Sequence, residues 1–291
     1  MMKTTVSVRV RPHSEEEGKL ALKVYSGKNT IAIVNEEGQA VDGKAFSFDV
    51  VHPASASTLD VYQEQKHIVD GFMKGMCGCI FAYGATSSGK TYTMLGGTKS
   101  RGVVDRAAET IFTNLPEQST ISVSFVEVYN EVIRDLISED TAKQSSVQIR
   151  GNKCCSTEIE CKDHSTVMST LKKGLANRAV EATAMNEKSS RSHSIFTLSL
   201  KMTTDEGKIV TSNLNLVDLA GSESVKHTSA SGQRAKEGAK INQSLLSLSK
   251  VIHSLSQGEQ QGQGQSCHIS YRDSKLTRLL QPSLSGEAQM S

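Results

Sequence analysis

No two of the six cysteines (Cys77, Cys79, Cys154, Cys155, Cys161 and Cys267) stand at C-x-x-C spacing. That absence argues against a structural zinc and against a disulfide framework, so reduced thiols are expected. Neither sign of charge prevails, with 33 lysines and arginines against 31 acidic residues. No global field therefore calls for nucleic acid or a membrane surface, and a polyanionic partner would have to meet a local patch. The N-terminus MMKTTVSVRVRP lacks the apolar core of a signal peptide and alternates with period two instead, which predicts a strand. No apolar run nears the ~20 residues of a membrane-spanning helix, and a cytosolic protein is the expectation. Internal repeats and breaks in composition are missing too, so residues 1–291 are expected to form one domain.

What is present suffices for a core, since 37% of the residues are hydrophobic. Strand-like segments at 5–10, 31–34, 46–50 and 79–83 alternate with a helical stretch at 58–76. Further strands are predicted at 121–129, 195–202 and 212–219. The interleaving implies an α/β sheet covered by helices on both faces. In 195–202, Phe196, Leu198, Leu200 and Met202 take one face and the polar residues take the other. The turn-like Thr204-Asp-Glu-Gly207 then predicts a hairpin with 212–219. A long helix over about 236–255 carries Ile241, Leu245, Leu248, Ile252 and Leu255 on one stripe. The run QGEQQGQGQS at 257–266 is too polar to pack and predicts a loop.

Chemistry concentrates at Gly84, Ala85, Thr86, Ser87, Ser88, Gly89, Lys90 and Thr91, which match G-x-x-x-x-G-K-[ST] directly after an apolar strand. The glycines let backbone N–H groups turn inward around phosphate oxygens, Lys90 adds a point charge, and the Thr91 hydroxyl can ligate Mg²⁺. A second element should hold the metal from a neighbouring strand, and Leu214-Asn-Leu-Val-Asp218 ends in the required carboxylate. An isolated Asp at a strand end is ordinarily a turn residue; beside a phosphate loop, Asp218 becomes a metal candidate. Ala220-Gly221 follows, and a residue without Cβ lets backbone approach a terminal phosphate. Asn152-Lys153 is followed by two cysteines, so the N-K-x-D signature of guanine recognition is missing and adenine is favoured.

Three further stretches carry a family likeness: Asn186-Glu-Lys-Ser-Ser-Arg-Ser-His193, Asp218-Leu-Ala-Gly-Ser-Glu223 and Tyr271-Arg-Asp-Ser-Lys-Leu-Thr277. With Arg9-Val-Arg-Pro12, Glu127-Val-Tyr-Asn-Glu131 and Ile241-Asn-Gln-Ser-Leu245, they resemble the kinesin motor domain over roughly 3–287. The likeness is to N-terminal kinesins, with the centromere-associated subgroup in view. It implies a P-loop NTPase-type mixed central β-sheet sandwiched between helices, and an ATPase that uses ATP and Mg²⁺ on microtubules of the cytoskeleton, spindle or kinetochore.

The resemblance also implies roles. Arg9, Arg11 and Pro12 would sit against adenine with Tyr92 on its other side, and residues 84–91 would hold the phosphates. Asn186, Ser189, Ser190, Arg191 and His193 would form a first switch, with Ser190 reaching Mg²⁺ beside Thr91 and Asp218, and Ser189 placing the attacking water. Asp218, Gly221 and Glu223 would form a second switch, with Glu223 taking the water's proton. Arg191 and Glu223 bear opposite charge on different loops, so a pair between them could form only once nucleotide has drawn both loops in. Lys236, Lys240 and Lys250, with Arg272, Lys275 and Arg278 on a short helical stretch, would face tubulin, whose outer surface is acidic.

Several positions depart from the family pattern. Ala85 stands where Gln is usual, which removes one side-chain contact near the nucleotide and leaves the backbone cradle intact. Pro282 replaces an acidic residue or Asn and, lacking an N–H donor, is expected to end the preceding helix. A kinesin motor normally continues with another central strand, a final helix and a neck linker, whereas this sequence closes at Ser291. The expectation is a motor domain incomplete at its C-terminus, or else a microtubule-binding module that turns over little ATP.

Overall fold

The computed structural model describes residues 4–13, 21–151, 153–183, 188–204, 206–223, 233–260, 269–285 and 289–290. The chain begins with β1 (Ser7–Arg9), followed by a three-stranded antiparallel sheet of β2 (Leu22–Tyr25), β3 (Thr30–Val34) and β4 (Ala40–Ser47). β5 (Val50–His52) pairs in parallel with β1. The strand predicted at 46–50 is thus split between two sheets. The break lies where side chains take over the backbone bonding: the Asn29 side chain donates to the Asp49 carbonyl, and the Asp49 carboxylate accepts from the Val6 N–H.

Helix α1 (Thr58–Phe72) starts at a capping box, with Ser57 and Asp60 each satisfying the other's backbone N–H. It ends before the predicted 76. β6 (Gly78–Ala82) leads into the phosphate loop and α2 (Lys90–Leu95). A two-residue ladder of β7 (Gly96–Gly97) and β8 (Ser100–Arg101) precedes α3 (Val103–Thr113). The long β9 (Ser119–Tyr129) turns back through Asn130 and Glu131, both at positive φ, into β10 (Val132–Asp135). The next elements are α4 (Thr141–Ser145), β11 (Ile149–Arg150), β12 (Lys153–Cys154), β13 (Ile159–Cys161) and α5 (His164–Thr183).

The predicted hairpin is β14 (His193–Thr203) and β15 (Ile209–Asp218), paired antiparallel from Ser194 with Asp218 to Thr203 with Ile209. Helix α6 (Gln233–Gln260) extends past the predicted 255, so 257–260 are helical; the rest of the predicted polar loop lies outside the described residues. Residues 271–273 form a single 3-10 turn before α7 (Lys275–Leu284), and β16 (Gln289–Met290) follows. Pro282 lies inside α7 and does not end it. The N–H that proline lacks falls in the last turn, and the ladder resumes with Ser285 N–H donating to the Gln281 carbonyl at 2.9 Å.

The main sheet runs β10-β9-β14-β15, with β6 parallel to β15 and β13 on β9, so it is mixed. β16 joins the edge of β15 at Val210 and Thr211, beyond the stretch that β6 occupies. Among the described residues β6 pairs with no strand but β15. Alternation along the strands sorts side chains into two cores. On one face Val123 and Phe125 of β9, Phe196 and Leu198 of β14 and Leu214 of β15 pack against α1, α3 and α5. The Phe125 and Phe196 rings meet edge to face at 5.4 Å. On the other face Val126, Ile195 and Val217 pack with Leu245 and Leu248 of α6 and Leu276 and Leu280 of α7. Of the predicted α6 stripe, Leu245 and Leu248 are buried with Val251 beside them, Ile252 and Leu255 are half-buried, and the side chain of Ile241 lies outside the described residues. No described helix is long and apolar enough to cross a membrane.

Candidate nucleotide site

The phosphate loop joins the C-terminal end of β6 to α2. Gly89 caps α2 at φ 96°, a left-handed conformation that a side chain would strain. Lys90 Nζ donates to the carbonyls of Gly84 at 2.9 Å and Ala85 at 2.7 Å, so the lysine folds back over its own loop. Burial depresses its pKa, opposed by the charges of Asp218 and Glu223.

Asp218 ends β15, the strand beside β6, and is 5% exposed. Its Oδ2 accepts from the Thr91 hydroxyl at 2.6 Å, while its Oδ1 is buried without a hydrogen-bond partner among the described residues. Burial raises the carboxyl pKa against the Thr91 hydroxyl and the charges of Arg178 and Lys90. A divalent cation fits this donor set: an orphaned carboxylate oxygen, with a hydroxyl on its twin, is what a hard oxygen-seeking ion completes.

Of the two segments expected to act as switches, the second reaches the loop and the first reaches the second. The Gly221 N–H donates to the Ser190 carbonyl at 2.8 Å, and the Ser222 N–H donates to the Gly84 carbonyl at 3.1 Å. A Cβ on Gly221 would stand 2.4 Å from both Glu223 carboxylate oxygens and from the Thr86 hydroxyl, so no larger residue fits without displacing them. The Glu223 carboxylate accepts from the Thr86 N–H at 2.9 Å and from the Thr86 hydroxyl. Burial works against its charge, yet the Thr86 bonds, its own N–H and Lys90 hold its pKa below the ordinary glutamate range. Among the described residues its partner is thus the phosphate loop; the pair with Arg191 is expected only with nucleotide bound. Arg191 instead lines a small cavity with Asn130, Glu131, His193, Lys240 and Ser244.

His193 is buried between the switches and α6. Its Nδ1 accepts from the Ala220 N–H at 3.0 Å, which leaves the proton on Nε2, 2.8 Å from the Ser244 hydroxyl. Burial first and Arg178 second push its pKa down to about 4. Arg9 lies over the Tyr92 ring at 5.4 Å and donates to Thr58, Thr93 and the Ala56 carbonyl. Arg9 and Tyr92, expected on opposite sides of adenine, are therefore stacked on each other, and the other two expected there, Arg11 and Pro12, are exposed. Asn186 lies outside the described residues, as do the side chains of Ser189 and Lys236. Lys240, Lys250 and Arg272 are exposed, and Lys275 is half-buried. Arg278 donates to the Gly151 carbonyl at 3.1 Å, which ties it to the surface beneath.

Sequence reasoning passes over one group at this site. Arg178 of α5 reaches Glu127, Ser192 and Asp218 in the interior. Periodicity gives no warning of an arginine on a helix face turned inward.

The Kinesin motor domain profile matches residues 9–291. Mouse Kinesin-like protein KIF14 is 38% identical over 315 residues, covering 98% of this chain and 19% of that protein. Human Centromere-associated protein E is 39% identical over 303 residues, covering 98% of this chain and 11% of that protein. The chain thus spans about a fifth of the length of such relatives, or less. Among solved structures, a fast kinesin superposes with a TM-score of 0.81 at 37% identity, over 96% of this chain and 81% of that one. A KIF14 dimer bound to a microtubule with AMP-PNP superposes at 0.82 and 36% identity, over 99% and 86%.

Proposed function

The chain belongs to the kinesin motor-domain family, and from that premise we propose that it is a microtubule-stimulated ATPase whose switch segments couple hydrolysis to movement along microtubules. The observation that carries this reading is a chain of bonds from the first switch to the second and from the second to the phosphate loop, through Ser190 with Gly221, then Ser222 with Gly84 and Glu223 with Thr86. Phosphoryl transfer asks mainly for positioning of water and charge, and this arrangement is suited to that task.

In the proposed cycle, Arg9, Arg11, Pro12 and Tyr92 flank adenine, and residues 84–91 cradle the phosphates. Thr91, Asp218 and Ser190 would hold Mg²⁺, which when bound neutralises phosphate charge. Lys90 exchanges its two loop carbonyls for phosphate oxygens. Glu223 leaves Thr86, pairs with Arg191 and accepts the proton of the water that Ser189 orients, through a second water. The water oxygen bonds to the terminal phosphorus as the bond to the ADP oxygen breaks. His193, bonded to both Ala220 and Ser244, links the second switch to α6, and Lys240, Lys250, Arg272 and Lys275 meet the acidic track.

ATP turnover measured with and without polymerised tubulin tests this. We expect stimulation by tubulin, and Glu223→Ala should bind ATP while losing turnover at least ~100-fold, the scale of a general base. Turnover indifferent to tubulin refutes the motor reading. A second reading, a microtubule-binding module with little turnover, is supported by the hold of Thr86 on Glu223; pelleting with microtubules without hydrolysis would favour it.

A further inference from the structure

Cys154 and Cys155 are adjacent in the chain, and both are half-buried free thiols. Successive residues of a strand ordinarily point to opposite faces. β12 ends at Cys154, however, and both side chains pack against the same core, the one that α6 and α7 share with the sheet. The other described thiols are set apart. Cys77 and Cys161 are buried, and Cys161 belongs to the core on the opposite face of the sheet. Burial pushes the thiols of Cys161 and Cys79 up to about 11 and about 12. Thiolate is the reactive form, so these two are inert at neutral pH. Burial raises the Cys154 thiol as well, but hydrogen bonds with Ser156 oppose it.

The pair sits in a hairpin tied down at several points. Ile149 of β11 is opposite Cys154, and the Cys155 N–H donates to the Gln148 carbonyl at 3.0 Å. The Val147 N–H donates to the Ile133 carbonyl of β10 at 2.8 Å. At the turn, the Gly151 carbonyl accepts from Arg278 of α7, from Nε at 3.3 Å and from a terminal nitrogen at 3.1 Å.

We propose that Cys154 and Cys155 form a modification site for low-molecular-weight disulfides such as oxidised glutathione, and that its product, a disulfide between the two neighbours, opens the hairpin of β11 and β12. One cysteine thiolate attacks a sulfur of oxidised glutathione, forms a mixed disulfide and expels one glutathione thiolate. The neighbouring thiol gives its proton to solvent, attacks the protein-side sulfur of the mixed disulfide and expels the second glutathione thiolate. The cysteines thereby lose two electrons and two protons, and the glutathione disulfide is reduced to two thiolates. Two Cα atoms joined by a trans peptide are ~3.8 Å apart, against ~4.4–6.8 Å across an ordinary disulfide. The ring is therefore strained, and the strain falls on the joining peptide, whose N–H is the one bonded to Gln148. Closure breaks that bond and with it the register of β12. Strain also makes the disulfide easily reduced, so the site responds to an oxidising shift and then resets. Nothing in this chemistry depends on nucleotide or track.

The test incubates the full chain with oxidised glutathione, alkylates the remaining thiols in denaturant and maps the product by tandem mass spectrometry. In the parent we expect two hydrogens lost across Cys154 and Cys155, Cys161 alkylated, no fragment that separates residues 154 and 155, and reversal by dithiothreitol. Amide hydrogen exchange over 147–155 should quicken about tenfold on oxidation. Cys154→Ser and Cys155→Ser each keep one thiol of the pair and cannot close the ring. Each should stop at a glutathione adduct, with hairpin exchange within about twofold of the reduced parent, and either variant serves should the other fail to fold. A parent that stays unmodified, keeps its glutathione adduct or joins Cys161 overturns the proposal. So does hairpin exchange that is unchanged on oxidation, or that quickens equally in a serine variant carrying the adduct, since the ring then opens nothing.

Discussion

His193 shows how one side chain can set a pH limit on the fold. It is 2% exposed and neutral, because an imidazolium could not accept the Ala220 N–H. Its pKa falls from the ordinary 6.5 to about 4 on folding, so over that interval the unfolded chain takes up a proton that the native protein refuses. The stability from this residue is complete above pH 6.5 and is lost as pH falls toward 4. The gap implies about 2 kcal/mol lost between about pH 7 and pH 5. Urea denaturation at both pH values, on the parent and on His193→Gln, checks this: the variant should lose markedly less, and equal losses would assign the effect to other groups.

The elements show where local signals suffice and where contacts overrule them. Helix α7 begins on two acceptors, the Ser274 hydroxyl, 3.2 Å from the Thr277 N–H, and Glu131, whose carboxylate takes the Lys275 N–H at 2.7 Å. The second acceptor comes from the tight turn between β9 and β10, so that turn and α7 are joined. Glu131→Ala should cost about 1 kcal/mol in denaturant titration through loss of an acceptor at a helix start, and no change would mean that water replaces it. Sequence alone marks the hairpin of β14 and β15, because its alternation is uninterrupted and a turn of Asp and Gly separates the halves. It marks the α6 stripe and the phosphate loop for similar reasons of spacing. The split between β4 and β5 is hidden, since it depends on Asn29 and Asp49 finding backbone groups far along the chain. Pro282 misleads for the converse reason: a rule about one missing donor ignores a helix already held by Leu276 and Leu280 in the core. The hold of Thr86 on Glu223 joins residues 137 positions apart, beyond any local pattern.

At the scale of the whole molecule, a net charge of +2 gives no steering field, so under the proposed function attraction to a track would come from a local patch, for which the basic residues of α6 and α7 are the candidates. Lys250→Ala with Arg272→Ala should weaken microtubule pelleting severalfold and flatten its dependence on salt, because both side chains are exposed. Arg278→Ala should do less, since that guanidinium is bonded to the Gly151 carbonyl. Pelleting of the double variant that matches the parent at every salt concentration would move the track surface elsewhere. The register of β14 on β15 has a consequence for any such communication. Ser194 and Asp218 are opposite one another, so the segment before β14 and the segment after β15 leave from the same rung, roughly 5 Å apart. Two ropes tied to one rung share their slack, and adding a single residue to either would lengthen its tether while leaving every named side chain intact.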